Sequence, residues 1–187
     1  VETALEVLDQ DPPGAPLRVL DLGTGSGAIV LSLAFQRQGP VYFASDISEK
    51  APLLAKTNAA ENGLTHILFF TGDWLEPLRS SAAGFELVVS NPPYIPSGDI
   101  PELQAEIYRY EPLSALDAGV DGLVCLRHLI QNVWPYLKPG GHLIMEIGYN
   151  QKDTVTAMGG ADGHYESISV RKDYGGNDRV VCMRRGT

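Results

Sequence analysis

The feature that most constrains this chain is an alternation. Short apolar runs at residues 18–22, 41–45, 67–70, 86–89 and 142–147 read as strands. Between them, residues 28–37, 49–62 and 123–137 carry apolar spacing that fits helices. Residues 2–8 fit a further short helix, closed by Asp11-Pro12-Pro13-Gly14. Strands that alternate with helices argue for a mostly parallel sheet covered on both faces, an α/β fold. Two more strand-like runs, near 165–170 and 179–183, have no long helix between them. They fit a closing hairpin whose final strand runs antiparallel, giving seven strands in all. Candidate chemistry then gathers after the carboxyl ends of the first four strands, where ligands bind in open α/β sheets.

The first of these segments is Gly23-Thr24-Gly25-Ser26-Gly27, between a strand and a helix. Glycine lets the backbone turn sharply and approach a ligand closely. Asp46 ends the next strand, where a carboxylate can accept hydrogen bonds from ribose hydroxyls. A dinucleotide fingerprint would place its third glycine at position 28, which is Ala28; here the third glycine is Gly27. Asp21 separates the readings further. A carboxylate beside the loop repels a pyrophosphate but can help hold the cationic methionine end of S-adenosyl-L-methionine, directly or through water. The plainer role for Asp21 is to cap the following turn. Asp73-Trp74 follows the third strand. An acidic group there can bond an adenine amino group, and Trp74 offers a flat face beside the ring. The plainer roles are a helix-capping Asp and an aromatic lid over the core.

After the fourth strand comes Asn91-Pro92-Pro93-Tyr94. Two prolines fix two φ angles and remove two N–H donors, and Asn91 is pushed toward an extended conformation. The segment is stiff and offers two acceptors, the Asn91 side-chain oxygen and the Pro92 carbonyl. Such a pair suits an –NH₂ group with its two donors, with Tyr94 over the flat face of the same group. A planar amide or aromatic amine nitrogen is a poor nucleophile because its lone pair is delocalised. Two acceptors orient it, favour tetrahedral geometry and stabilise the positive charge that develops on methylation. Asn-Pro and Pro-Pro are also ordinary turn formers. By itself the loop leaves amide and adenine both open.

Composition narrows the classes. Hydrophobic content is 44% and charged content 20%, those of an ordinary globular domain. No apolar run approaches membrane-spanning length, and the opening Val1-Glu2-Thr3 lacks the basic segment of a signal peptide. Without an initiator Met, the chain reads as a trimmed piece of a longer protein. A cytoplasmic monomer is expected. Cys125 and Cys182 are too few for a disulfide framework, and His66, His128, His142 and His164 show no ligand spacing, so no metal is expected. The formal net charge of −9 weighs against a grip on nucleic-acid phosphates, and no stable nucleic-acid partner is expected. A nicotinamide-dependent dehydrogenase is disfavoured by Asp21, and a non-catalytic cofactor sensor by the intact Asn91 loop.

Taken together, Asp21 to Gly27, Asp46, Gly72-Asp73-Trp74 and Ser90-Asn91-Pro92-Pro93-Tyr94-Ile95 resemble the class I methyltransferases. Tyr108-Arg109-Tyr110-Glu111-Pro112, Ala115-Leu116, Glu146-Ile147-Gly148 and Asp173-Tyr174-Gly175-Gly176-Asn177-Asp178-Arg179 narrow the resemblance. They are similar to the HemK/PrmC-type protein-(glutamine-N5) methyltransferases that act on peptide chain release factors. The resemblance implies a Rossmann-like fold and S-adenosyl-L-methionine as cofactor, with S-adenosyl-L-homocysteine as product. It implies that Gly23, Thr24, Gly25, Ser26, Gly27, Asp46, Trp74 and Asn91 contact the cofactor; the reading of the residues adds Asp21 and Asp73 to the same site. It implies that Asn91, Pro92, Pro93 and Tyr94 hold a glutamine of a Gly-Gly-Gln loop, with Arg109 and Glu111 as further substrate contacts. For Arg109 and Glu111 a surface ion pair that pins the loop competes. Residues 1–187 are expected to form one catalytic domain, without the small helical docking domain the family carries. Glutamine methylation of a ribosomal protein and adenine-N6 methylation of nucleic acid are the alternatives.

Overall fold

A computed structural model describes residues 1–11, 16–78, 84–103 and 112–187. The elements run α1 (Glu2–Leu8), β1 (Arg18–Leu22), α2 (Ala28–Gln36), β2 (Val41–Asp46), α3 (Lys50–Glu61), β3 (Ile67–Thr71) and β4 (Phe85–Ser90). They continue as α4 (Val124–Val133), β5 (Leu137–Glu146), α5 (Lys152–Asp162), β6 (Tyr165–Lys172) and β7 (Asp178–Arg185). One seven-stranded sheet has the order β3-β2-β1-β4-β5-β7-β6. The first five strands are parallel, and β7 runs antiparallel to both neighbours. This is the sheet expected from the alternation, with the closing hairpin in place.

Successive strand residues point to opposite faces, so each central strand feeds two cores. Val19, Leu87, Val89 and Ile144 pack with Ala4, Leu8, Val30, Leu33 and Ala59 of α1, α2 and α3. Leu20, Leu22, Val88, Leu143 and Met145 pack with Leu126, Leu129, Ile130, Val133 and Val155 of α4 and α5. Near-continuous burial of β1 and β4 follows, as a doubly covered parallel strand requires.

Three elements differ from the expected boundaries. The helix expected over 123–137 ends at Val133, and Trp134–Tyr136 tightens into a 3₁₀ turn with Pro135 in it. The strand expected over 142–147 begins already at Leu137, so Lys138-Pro139-Gly140-Gly141 lies inside β5 as an irregularity. Phe85 pairs with Leu137 and Leu87 with His142, so the four residues bulge out opposite Glu86. Helix α5 has no counterpart in the expectations from sequence. Thr154, Thr156, Gly159 and Gly160 are poor helix formers, and the packing of Val155 overrides them. No described helix is long and apolar enough to cross a membrane.

The topology fixes where a site can form. Chain winding reverses between β1 and β4, which are neighbours, and that reversal opens a crevice at their carboxyl ends. Register places Leu22 beside Ser45 on one side and Ser90 on the other, with Asp46 beside Thr71. The four loops that follow these strands therefore leave the sheet along one edge.

Candidate active site

At the reversal, two loops stand side by side. The Ser90 hydroxyl, buried, donates to the Leu22 carbonyl at 2.7 Å and ties the end of β4 to the end of β1. The glycine loop leaves from Leu22, and Asn91-Pro92-Pro93-Tyr94 leaves from Ser90.

Gly23, Gly25 and Gly27 all have positive φ, +72°, +55° and +88°. The amides of Gly23 and Thr24 both donate to the Ser45 carbonyl at 2.9 Å, and the Gly27 amide donates to the Thr24 carbonyl at 2.8 Å. Gly27 then caps α2. A Cβ on Gly25 would meet nothing within 4 Å, and one on Gly23 would meet only the Trp74 ring at 3.9 Å. The loop is thus a shallow cradle walled by Trp74. The Asn58 amide holds the Ser26 carbonyl from α3 at 2.9 Å.

Asp46 is half-buried, and both of its oxygens are engaged. Oδ2 accepts from the Gly25 amide and Oδ1 from the Ser48 amide, each at 2.9 Å. The carboxylate shapes the loop and keeps one lone-pair site on each oxygen for a further donor.

Asp21 is the unusual group. It is 1% exposed. Its Oδ2 accepts from the Thr24 hydroxyl at 2.8 Å, but Oδ1 is buried without a hydrogen-bond partner among the described residues. Burial pushes its pKa up to about 6, against a pull downward from the Thr24 hydroxyl. A buried carboxylate oxygen with nothing to accept from suits a ligand carrying a cationic donor, or the water that donor would hold.

Trp74 has φ +44°, the only positive φ among the described non-glycine residues. Such conformations cost roughly 1–3 kcal/mol and gather at ligand clamps. The indole stands between the Gly23 loop and the His128 ring, 6.0 Å away. Asp73 is exposed, beside a cavity of about 490 Å³ that Trp74, His128, Trp134 and Tyr136 also line.

Asn91 is exposed, and neither its side chain nor the Pro92 carbonyl has a hydrogen-bond partner among the described residues. Tyr94 is half-buried with its hydroxyl turned inward. That hydroxyl donates to Glu146 Oε1 at 3.0 Å, and its oxygen accepts from Arg179 at 3.5 Å. Arg179 is held in turn by the Ile147 carbonyl and by Asp173. Burial, and then the Glu146 charge, raise the phenol's pKa. The Tyr94 hydroxyl therefore belongs to the fold.

The methyltransferase domain family matches residues 14–170. The chain belongs to that family. The proteins it is similar to include the release factor glutamine methyltransferase of Gloeobacter violaceus, 41% identical over 89% of this chain and 58% of that protein. The release factor glutamine methyltransferase of Moorella thermoacetica is 42% identical over 99% of this chain and 64% of its own length. This methyltransferase domain thus spans less than two thirds of these curated relatives. Among solved structures, the release factor-specific protein-(glutamine-N5) methyltransferase of Alicyclobacillus acidocaldarius superposes with a TM-score of 0.58 at 26% identity. That match covers all of this chain and 89% of the other.

Within this methyltransferase domain, Arg109 and Glu111 lie outside the described residues, as do Tyr108 and Tyr110. Sequence reasoning assigns no individual role to Glu146, Arg179 or Gln151. The signals for Glu146 are its place in the Glu146-Ile147-Gly148 segment and at the carboxyl end of β5, on the same edge as the other site residues. No group of three or more potential metal ligands occurs among the described residues.

The glycine loop makes one strong demand. A Cβ on Gly27 would sit 3.0 Å from Ala55 Cβ and 3.2 Å from Leu31, at a φ that L-residues avoid. Gly27→Ala is expected to destabilise the methyltransferase domain by about 1–3 kcal/mol. Thermal unfolding would show a midpoint lower by several degrees; an unchanged midpoint would mean that the loop relaxes freely.

Proposed function

We propose that this domain transfers a methyl group from S-adenosyl-L-methionine to the side-chain amide nitrogen (N5) of a protein glutamine, in the Gly-Gly-Gln loop of a peptide chain release factor. S-adenosyl-L-homocysteine is the other product. One observation carries the reading. A glycine cradle with an orphaned buried carboxylate oxygen stands beside a stiff loop whose Asn91 and Pro92 acceptors have no partner among the described residues. The similarity to release factor glutamine methyltransferases supports the choice of glutamine.

The cofactor, when bound, supplies a methyl group on a sulfonium centre. The residues present fit it. Asp21 offers Oδ1 to the cationic amino group, directly or through water. The free lone pairs of Asp46 suit ribose hydroxyls, and Asp73 and Trp74 flank the place for adenine. Asn91 Oδ1 and the Pro92 carbonyl accept the two N–H groups of the glutamine amide. That directs the nitrogen lone pair along the line of attack and stabilises the positive charge that grows on nitrogen. The nitrogen gains a methyl and releases one proton to water. No strong base is required, because a methylated amide nitrogen is acidic.

The test is incubation with S-adenosyl-L-methionine and a release factor, followed by mass spectrometry of the Gly-Gly-Gln peptide. One added methyl on glutamine is expected. No mass gain, together with methylated adenine in a parallel DNA reaction, would replace this reading with the nucleic-acid one. A methylated ribosomal protein with an untouched release factor would move the substrate but keep the chemistry.

A further inference from the structure

The stiff loop has two ends, and the structure pins both. At its start, Ser90 is tied to Leu22. At its end stands Gln151, the residue that opens α5, only 7% exposed. Its Oε1 accepts from the Gly148 amide at 2.8 Å. Its Nε2 donates to the Tyr94 carbonyl and to the Gly122 carbonyl, each at 3.0 Å. Three segments far apart in sequence thus present one N–H and two C=O groups to one side chain. A primary amide is the complement of that set: one acceptor and two donors. A carboxylate of the same shape has no donor, and an aliphatic chain has neither.

The junction is crowded as well as bonded. Gly122 has φ +69°, and a Cβ there would lie 2.7 Å from the Tyr94 oxygen, 3.0 Å from Gln151 Nε2 and 3.0 Å from Pro96 Cδ. The chain continues from Tyr94 into a short ladder in which Ile95 and Ser97 donate to Leu116 and Gly119 at 3.2 and 2.9 Å. Between the two pins, Pro92 and Pro93 hold their φ angles fixed. With two of the intervening φ angles fixed, a shift of the Tyr94 carbonyl is carried toward Asn91 more than in an ordinary loop.

We infer that Gln151 is a positioning residue for methyl transfer, setting the Asn91 and Pro92 acceptors through its buried amide. This rests on the reading of the site given above. Gln151 stands on the acceptor side of the crevice and makes no hydrogen bond to the glycine loop, Asp46 or Trp74. Its loss is expected to lower turnover and leave cofactor affinity nearly intact.

Two variants test it. Gln151→Leu removes all three bonds. Gln151→Glu keeps the Gly148 bond and turns its other carboxylate oxygen on both carbonyls. At pH 8 and saturating cofactor, both are expected to lose about 10- to 100-fold in kcat, as misplacement by an ångström or less does, with cofactor Kd changed by less than about threefold. The Gln151→Glu rate relative to the parent should recover several-fold toward pH 5.5, where the introduced carboxyl, once protonated, can donate again. A kcat within twofold of the parent overturns the inference, as does a parallel fall of kcat and cofactor affinity, or a flat rate ratio across pH. Hydrogen exchange supplies a readout that does not depend on turnover. Ile95 and Ser97 amides should exchange about tenfold faster in Gln151→Leu, with Gly23 to Gly27 unchanged. Should the parent methylate no glutamine, the proposed function falls while exchange still decides the positioning role; equal exchange in parent and variant removes it.

Discussion

Asn91→Ala is expected to lower glutamine methylation by at least about 10²–10³-fold, the range seen when one preorganised partner of a developing charge is removed. In the proposed function, the substitution deletes the acceptor that orients one N–H of the amide and leaves the Pro92 carbonyl to act alone. The nitrogen then keeps its planar geometry longer along the path to the methyl group, and the growing charge loses a partner inside the crevice. Folding should be indifferent. Asn91 is exposed and has no hydrogen-bond partner among the described residues, so its truncation should change stability by no more than about 0.5 kcal/mol. Single-turnover methylation, a binding titration with S-adenosyl-L-methionine and a thermal melt separate the three quantities. Cofactor binding should survive at reduced affinity, since the proposed function puts Asn91 where both ligands meet. A variant that turns over within threefold of the parent would remove the mechanism.

Asp21→Asn is expected to move stability and binding in opposite directions. Burial raises the Asp21 pKa from 3.8 to about 6. A carboxyl raised in the folded state favours folding most below its unfolded pKa, and that contribution is lost as pH rises through the folded value. At pH 7.5 the ligand-free domain therefore carries an unfavourable buried charge, worth on the order of 1–3 kcal/mol. Asparagine removes the charge and keeps an acceptor for the Thr24 hydroxyl. The variant should melt several degrees higher at pH 7.5, and the difference should shrink as pH falls through about 6 toward 4. Cofactor affinity should fall at pH 7.5 by about 10- to 100-fold, from the ~1.5–3 kcal/mol of a hydrogen bond to a charged group. The parent's own affinity should decline as pH drops through about 6, while the variant's stays flat. A variant that melts lower and binds equally well would make Asp21 a simple turn cap.

Much of this was legible in the chain because strand, loop and ligand chemistry reinforce one another at Asp21–Gly27 and Ser90–Tyr94. Apolar runs mark the five parallel strands, and their spacing puts both loops at one edge. Other features were hidden for identifiable reasons. Asp46 looks like a free acceptor in sequence, yet both of its oxygens bind backbone amides, a matter of loop closure that spacing does not express. Helix α5 is made of residues that disfavour helices and exists because Val155 packs against the sheet. The Tyr94 hydroxyl reads as available until Glu146 and Arg179 are brought to it from β5 and β7. Gln151 carries no signal at all, since its partners are three backbone groups from three segments.

The placement of β7 has a consequence for how the domain comes into being. Strand β6 touches the sheet only through β7, which is made after it and slides in between β5 and β6. During synthesis β6 has no edge to join until its successor emerges. Arg179, which steadies Tyr94, rides on that same late strand. The nascent chain can thus shape its glycine loop early, while the Tyr94 hydroxyl lacks Arg179 until the hairpin docks. A chain stalled before β7 would carry the glycine loop without the strand that steadies Tyr94.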